Sequence, residues 1–291
     1  MQGWQNISRP IKKEFTQLKT VLRAKTKGNS VTMTKIGIAI GSFVIGFVVF
    51  LTVVYGIIPT AIADMSTQME SEYATELFNR TVKNEEPPGE AAAFEQGESV
   101  VEFPRDCFVP VLKENPDIVG RVSIDSMDIG YLVAQSIDND YYLKHGYDRK
   151  ESKSGAVFLD YRCNAESQPL KGHYILYGHN MKNGSMFHNL NKYADADFFE
   201  KNRMIRFDTL YKDYEWEVFS TYVTSTDFYY IDTTFKDDTE WLDFLHQIQQ
   251  KSLHQTDIEL QTDDVVLTLS TCDYSFENAR FVVHARLVTK D

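Results

Sequence analysis

The chain has 291 residues, with 30 Lys+Arg against 42 Asp+Glu for a net charge of −12, 43% hydrophobic and 13% aromatic residues, 15 Gly and 8 Pro. This composition excludes a collagenous, low-complexity or wholly disordered chain and supplies enough apolar side chain for a real core. The acidity argues against a nucleic-acid partner, because neutralising phosphates requires Lys and Arg clustered on one face.

The charge is unevenly spread. Residues 1–35 carry eight Lys/Arg against Glu14 alone, a balance of +7, which leaves −19 for residues 36–291. Between them, residues 36–58 run for 23 positions without Asp, Glu, Lys or Arg, which as a helix spans roughly 34 Å, the thickness of a bilayer core. The expected organisation is a basic cytoplasmic segment (1–35) and a transmembrane anchor (36–58). By the positive-inside rule everything after Pro59 is then translocated, giving a single-pass type II protein of the cell membrane with its C-terminal part extracellular. A cleaved signal peptide competes, since Ala61-Ile62-Ala63 resembles a cleavage site, but the apolar run is longer than a signal h-region and the basic head long for an n-region. Residues 59–103 are acidic and polar around Glu85-Glu86-Pro87-Pro88-Gly89-Glu90 and read as an extracellular stalk, with a helix over about 65–82 stopped by the Pro pair.

A second short helix is expected near 107–115, ending at Pro116. Beyond it the chain reads as strands at 118–124, 127–134, 156–159, 174–177, 204–207, 214–223, 265–270 and 281–288, each a β-branched or aromatic run bounded by Asp, Asn, Gly or Ser. Eight strands in residues 104–291 predict a mainly β (α+β) sandwich or barrel. One insertion differs. In residues 238–254, Trp241, Leu242, Leu245, Ile248 and Leu253 fall near helical spacing, so an amphipathic helix precedes the last two strands.

Three cysteines are too few, and too odd a number, for a disulfide framework. Either Cys107 and Cys163 pair and leave Cys272 alone, or all three are reduced. Cys272 ends an apolar strand, and Arg280 opens the next; if the two strands form a hairpin, thiol and guanidinium face each other across its mouth. A permanent cation there favours thiolate and can hold a developing oxyanion. The leaving group also needs a proton, which at neutral pH points to histidine. Of seven histidines, His179 is the best placed, on a Gly/Asn-rich loop just beyond the strand at 174–177. The Cys and His spacings form no zinc pattern and the acidic residues no calcium loop, so neither metal nor cofactor is expected.

Thr268-Leu269-Ser270-Thr271-Cys272 followed by Arg280 resembles the Thr-Leu-x-Thr-Cys…Arg motif of sortases, the membrane-anchored cysteine transpeptidases of Gram-positive bacteria. Tyr177-Gly178-His179-Asn180-Met181 with Gly184-Ser185-Met186-Phe187 is similar to the histidine motif of class B. So, in order, are Asn115-Pro116-Asp117-Ile118-Val119-Gly120, Asp138-Asn139-Asp140-Tyr141-Tyr142-Leu143 and Gly155-Ala156-Val157-Phe158-Leu159-Asp160. The resemblance covers about residues 105–288. It implies an eight-stranded sortase-type barrel with an N-terminal helical extension. Cys272, His179 and Arg280 would be the catalytic residues, with Asn180, Ser270 and Thr271 as substrate contacts. The implied reaction cleaves a C-terminal sorting motif of a secreted protein at a Thr carbonyl through a thioacyl enzyme. The acyl group then passes to an amine of a peptidoglycan precursor or to a pilin lysine. No acidic residue is placed to orient His179.

Two other readings keep the same residues. A thiol peptidase or cell-wall hydrolase would pass the acyl group to water, and a non-enzymatic surface scaffold would carry a thiol of ordinary reactivity.

Overall fold

The computed structural model describes residues 42, 44–58, 65, 69, 72, 75–79, 104–166 and 170–288. The chain divides into two compact units, Met1–Ile62 and Ala63–Asp291. In the first, residues 44–58 are helical, with a π-helical turn at Val53–Ile57, and present apolar side chains outward, Ile45 at 67% and Phe50 at 59% exposure. No helix among the described residues is long and apolar enough to cross a membrane. Residues 36–41 and 43 of the expected span lie outside the described residues, as do residues 1–35.

The second unit is built on a closed barrel in the order β1-β2-β3-β4-β7-β8-β6-β5. The strands are β1 (Ile118–Ile124), β2 (Ile129–Gln135), β3 (Val157–Leu159), β4 (His173–Tyr177), β5 (Met204–Thr209), β6 (Glu215–Ser225), β7 (Val266–Cys272) and β8 (Ala279–Leu287). All eight expected strands are present. The start of β2 is displaced from the expected 127 because Asp125–Met127 form a 3-10 turn closed by Asp128 at φ 58°. Closure leaves no unpaired sheet edge. Most neighbours are antiparallel, but β2 with β3 and β4 with β7 run parallel.

Side-chain alternation sorts the apolar residues to two faces. Leu267, Leu269 and Val283 point inward with Val122, Phe207 and Trp216. Val266 and Val282 point outward, where they pack under α3 (Asp238–Gln250) through Trp241, Phe244, Leu245 and Ile248. That helix is capped by Asp237, whose carboxylate accepts from Thr239 and Glu240 N–H. It ends at Gln250 rather than 254, and Ser252 Oγ turns back to accept from Thr221 N–H. The helix expected near 107–115 is a 3-10 turn (Asp106–Phe108) running into α1 (Val109–Glu114). Two short elements were not expected, a 3-10 helix at Phe187–Ala194 and α2 (Ala196–Lys201), the latter capped by Asp195 through Phe198 N–H.

The acidic segment 59–103 is attached to the barrel over part of its length rather than standing free as a stalk. Residues 75–79 are helical; Phe78 is buried, its ring 4.9 Å from that of Phe108, and the Arg121 guanidinium lies over the same ring. Thr75 Oγ1 donates to the Gly130 carbonyl at 2.9 Å. Apolar burial on β1, β2 and α1 fixes this contact. The rest of the expected helix at 65–82 and the Pro pair fall mostly outside the described residues. No disulfide joins Cys107 to Cys163 or engages Cys272; Cys107 and Cys163 are both buried. Burial pushes the Cys163 thiol up to about 12.

Beneath α3 a chain of buried polar groups crosses four strands. Tyr222 Oη lies 2.7 Å from His284 Nε2, His284 Nδ1 2.7 Å from Thr268 Oγ1, and Thr268 Oγ1 2.6 Å from His173 Nε2. His173 Nδ1 is 2.6 Å from the carbonyl of Asp232, which can only accept. That carbonyl fixes every proton in the row: His173 carries its own on Nδ1, Thr268 donates to His173, His284 Nδ1–H donates to Thr268, and Tyr222 donates to His284. Both imidazoles are neutral and fully satisfied. Desolvation lowers His173 to about 4 and His284 well below its usual value.

Between pH 6.5 and 4 the unfolded chain therefore binds two protons that the fold excludes, so these histidines' contribution is full above pH 6.5 and is lost as pH falls. Asp208 on β5, raised by burial to about 6, works the other way over the same range. The two histidines outweigh the one carboxylate, so the net expectation is a loss of stability as pH falls from 6.5 to 4, read in denaturant titrations. Thr268→Val, which strands two buried imidazole nitrogens, should cost about 3 kcal/mol at pH 7.5 and is checked by the same titration.

Candidate active site

The site forms where β7 emerges from the core. Its first six residues, Val266 to Thr271, are buried, and Cys272 is the first to be half-exposed. Cys272 pairs directly with Arg280 on antiparallel β8, which places their Cβ atoms about 5 Å apart on one face. On its other side β7 is paired with parallel β4, His173 opposite Val266 through Tyr177 opposite Ser270. The pairing ends there, and His179 and Cys272 each follow two residues further along their own segments. Contacts past the last rung keep the chains in step, with Gly178 N–H donating to Ser270 O at 3.2 Å and Asn180 Nδ2 to Cys272 O at 2.8 Å. Gly178 is required here, since a Cβ would lie 2.8 Å from the Phe187 ring. Cys272 thus has Arg280 opposite it on one flank and, on the other, the segment that carries His179.

The orienting partner of His179 is a backbone group. Its Nε2 lies 2.8 Å from the carbonyl oxygen of Leu143, in the loop after β2. A carbonyl only accepts, so Nε2 carries the proton and Nδ1 is left to exchange one with the reacting groups. No carboxylate takes this part. Asp273 and Glu277 stay in the exposed loop between β7 and β8, where Asp273 accepts from Ser275 N–H. In that loop Tyr274, 68% exposed, donates through Oη to the carbonyl of Asn180 at 2.8 Å and ties the loop of the thiol to the loop of the imidazole.

The three residues expected to touch substrate are committed elsewhere. Asn180 is buried, with Nδ2 on Cys272 O and Oδ1 2.7 Å from His188 Nδ1. Ser270 is buried with Oγ 2.7 Å from Tyr230 Oη. Thr271 turns inward, and its Oγ1 is buried without a partner. Ser270 shares the face of Cys272 but is covered by Tyr230, Thr271 alternates to the inner face, and Asn180 holds the loop to the end of β7.

Sequence reasoning missed Tyr230. It lies in the connection between β6 and α3, deep enough that burial raises its phenol, with Arg280 opposing the shift and Cys272 adding to it. It therefore lies within the electrostatic reach of both. The connection is anchored by a second hub. The carboxylate of Asp160, just after β3, takes two bonds from Arg162 (2.8 and 2.7 Å) and one each from Asn139 Nδ2 and Tyr177 Oη (both 2.9 Å). Burial alone would raise Asp160; these donors outweigh it and hold it below the usual carboxylate range. Arg162 then reaches the Ile231 carbonyl and Tyr229 Oη. Among the described residues no group of three His, Cys, Asp or Glu side chains could hold a metal.

This geometry suits nucleophilic acyl transfer at sulfur, with one cation and one tautomerically fixed imidazole flanking a surface thiol. Comparison with known proteins gives the lineage. Residues 122–288 match the family model described as "Sortase domain". Over 188 residues the chain is 41% identical to Sortase B of Listeria monocytogenes, covering 64% of this chain and 76% of the relative. Sortase B from Bacillus anthracis in complex with AAEK1 superposes with a TM-score of 0.67 at 37% identity, over 79% of this chain and 99% of that one. A Staphylococcus aureus sortase B–substrate complex does so with the same TM-score at 29% identity, over 79% and 100%. The chain belongs to the sortase family, in its class B, and is a cysteine transpeptidase.

Removing the Asn180 side chain takes away the bond that holds the Cys272 carbonyl. Asn180→Ala should lower kcat/KM about tenfold, the equivalent of one lost interaction of about 1.4 kcal/mol. The purified variant should still melt cooperatively.

Proposed function

We propose that the protein works outside the cell as a sorting transpeptidase. It cleaves a secreted protein's C-terminal sorting motif at a Thr carbonyl and joins the new carboxyl end to an amine of a peptidoglycan precursor or to a pilin lysine. The observation that supports this reading is the pairing around Cys272: β7 lies beside β4 as far as Tyr177 opposite Ser270, two residues short of His179 and Cys272, and the last rung of β7–β8 sets Arg280 opposite the thiol.

The Cys272 thiolate attacks the Thr carbonyl carbon, and the carbonyl π-electrons move to oxygen, where Arg280 stabilises the anion. The proton lost by the Cys272 thiol has passed to His179 Nδ1, so as the oxyanion collapses and the C–N bond breaks the leaving amine takes that proton from Nδ1. An incoming amine then adds to the thioacyl carbon, gives its proton to His179 and expels the thiolate. Product and enzyme are restored with no oxidant or metal in the balance. Nε2–H stays on Leu143 O throughout, so the ring keeps one orientation in both half-reactions.

The proposed placement rests on the charge asymmetry of the N-terminal 58 residues and on their uncharged run. The apolar side chains that residues 44–58 present outward are suited to lipid. The basic head would then remain cytoplasmic and the barrel would be displayed outside, where secreted substrates pass.

Incubation with a set of sorting-motif peptides, including an Asn-Pro-x-Thr type, with and without an amine acceptor, should give an acyl adduct on Cys272 by mass spectrometry. Amine should resolve the adduct faster than water does. Cys272→Ala and His179→Ala should abolish the adduct with folding retained, and Arg280→Ala should slow its formation at least a hundredfold. Acid as the sole product despite added amine would favour the hydrolase, and a Cys272 that alkylates no faster than free cysteine would favour the scaffold.

A further inference from the structure

The loop between β2 and β3 is closed by backbone bonds on either side of Leu143. Ala156 N–H donates to Tyr142 O at 2.9 Å and Ser152 N–H to Lys144 O at 2.7 Å. The carbonyl between them, that of Leu143, receives His179 Nε2–H at 2.8 Å. Against this ridge of carbonyls lies Gly155, at φ +56°. A Cβ built there would stand 2.4 Å from Tyr142 O, 2.9 Å from Leu143 O and 3.0 Å from Leu143 C. All are backbone atoms that cannot rotate aside as a side chain would.

We propose that Gly155 is a positioning residue for transpeptidation. The bare Cα at this position lets the 142–144 backbone approach, and that approach sets Leu143 O where it holds the catalytic imidazole. The proposal rests on the reading of His179 as the proton-transfer group. Restoring ordinary contact with a Cβ requires Tyr142 O to retreat by about 1 Å and Leu143 O by about half that. The same half ångström stretches the 2.8 Å bond to His179 to the edge of useful hydrogen-bond distance. The imidazole then loses both its preferred tautomer and its aim. Displacements of this size cost about a hundredfold in rate where reacting groups must be aligned.

Two glycines separate this role from backbone strain. Gly172, also at positive φ (+75°), has nothing within 4 Å of its Cβ position, so Gly172→Ala carries the strain without the clash. Gly155→Asn tolerates positive φ better than alanine does but keeps the clash.

The test is histidine-15N NMR on the full chain, with turnover measured on whichever peptide forms the Cys272 adduct. The expected wild-type signal is a single His179 tautomer protonated at Nε2 with slow solvent exchange. In Gly155→Ala and Gly155→Asn the signal should become a tautomer mixture with exchange at least tenfold faster. In both, kcat should fall about a hundredfold with KM unchanged and the pH–rate profile displaced, while Gly172→Ala matches wild type in all these readouts. A wild-type His179 signal in folded Gly155→Ala would overturn the proposal, as would recovery of activity in Gly155→Asn alone. So would failure of both Gly155 variants to fold while Gly172→Ala folds, since the glycine would then serve the stability of the loop. An active His179→Ala is a separate result and would overturn the reading of His179 itself.

Discussion

The parallel pairing of β4 with β7 is the constraint on which the site depends. A parallel neighbour needs a long crossover connection, and here β5, β6 and α3 fill it. Their burial stabilises a contact between residues far apart in sequence, against the entropy of closing so long a loop. Once Tyr177 is opposite Ser270, the chemistry two residues further on has little freedom left. A slip of one residue would turn either the histidine or the cysteine to the opposite face.

Hydrogen bonds that the fold must satisfy anyway make this register specific. The row from Tyr222 through His284, Thr268 and His173 to the Asp232 carbonyl closes only if β4, β7, β8 and β6 are all aligned. Two uncharged imidazoles under α3 would be costly in any other alignment, because each buried nitrogen would lose its partner. The same row ends on the connection that carries Tyr230, which returns to Ser270 on β7. The strand that presents the nucleophile and the segment that overlies it are thus set by one network.

The orientation of the imidazole follows a similar economy. A carboxylate beside a thiolate would raise the cost of forming the anion, and a neutral carbonyl fixes the tautomer without adding charge. The acidic residues of the β7–β8 loop stay in solvent, and the buried carboxylate of Asp160 is neutralised by Arg162 in its own hub. Arg280 is left as the charged side chain paired with Cys272 across the hairpin.

Much of this was legible in the sequence. β-branched and aromatic runs bounded by turn residues marked all eight strands, and helical spacing marked α3, because these patterns record which local segments are buried. Cys272, His179 and Arg280 stood out by residue type, since few side chains can act as nucleophile, proton carrier and anion hole. The attached part of the acidic segment escaped notice because Phe78 finds its burial only against Phe108 and β1, which local composition does not encode. The resemblance implied Asn180, Ser270 and Thr271 as substrate contacts, and the structure buries all three, Ser270 beneath Tyr230 and Asn180 against the end of β7. Leu143 and Gly155 fell within segments similar to class B, but nothing local marked their role, since a carbonyl belongs to every residue and the need for a bare Cα arises only where two loops meet. The sequence by itself determined the reactive groups and the segments that carry them, through local patterns of burial. Only the tertiary structure decided which groups face one another, because pairing between distant strands is set by how the whole barrel closes.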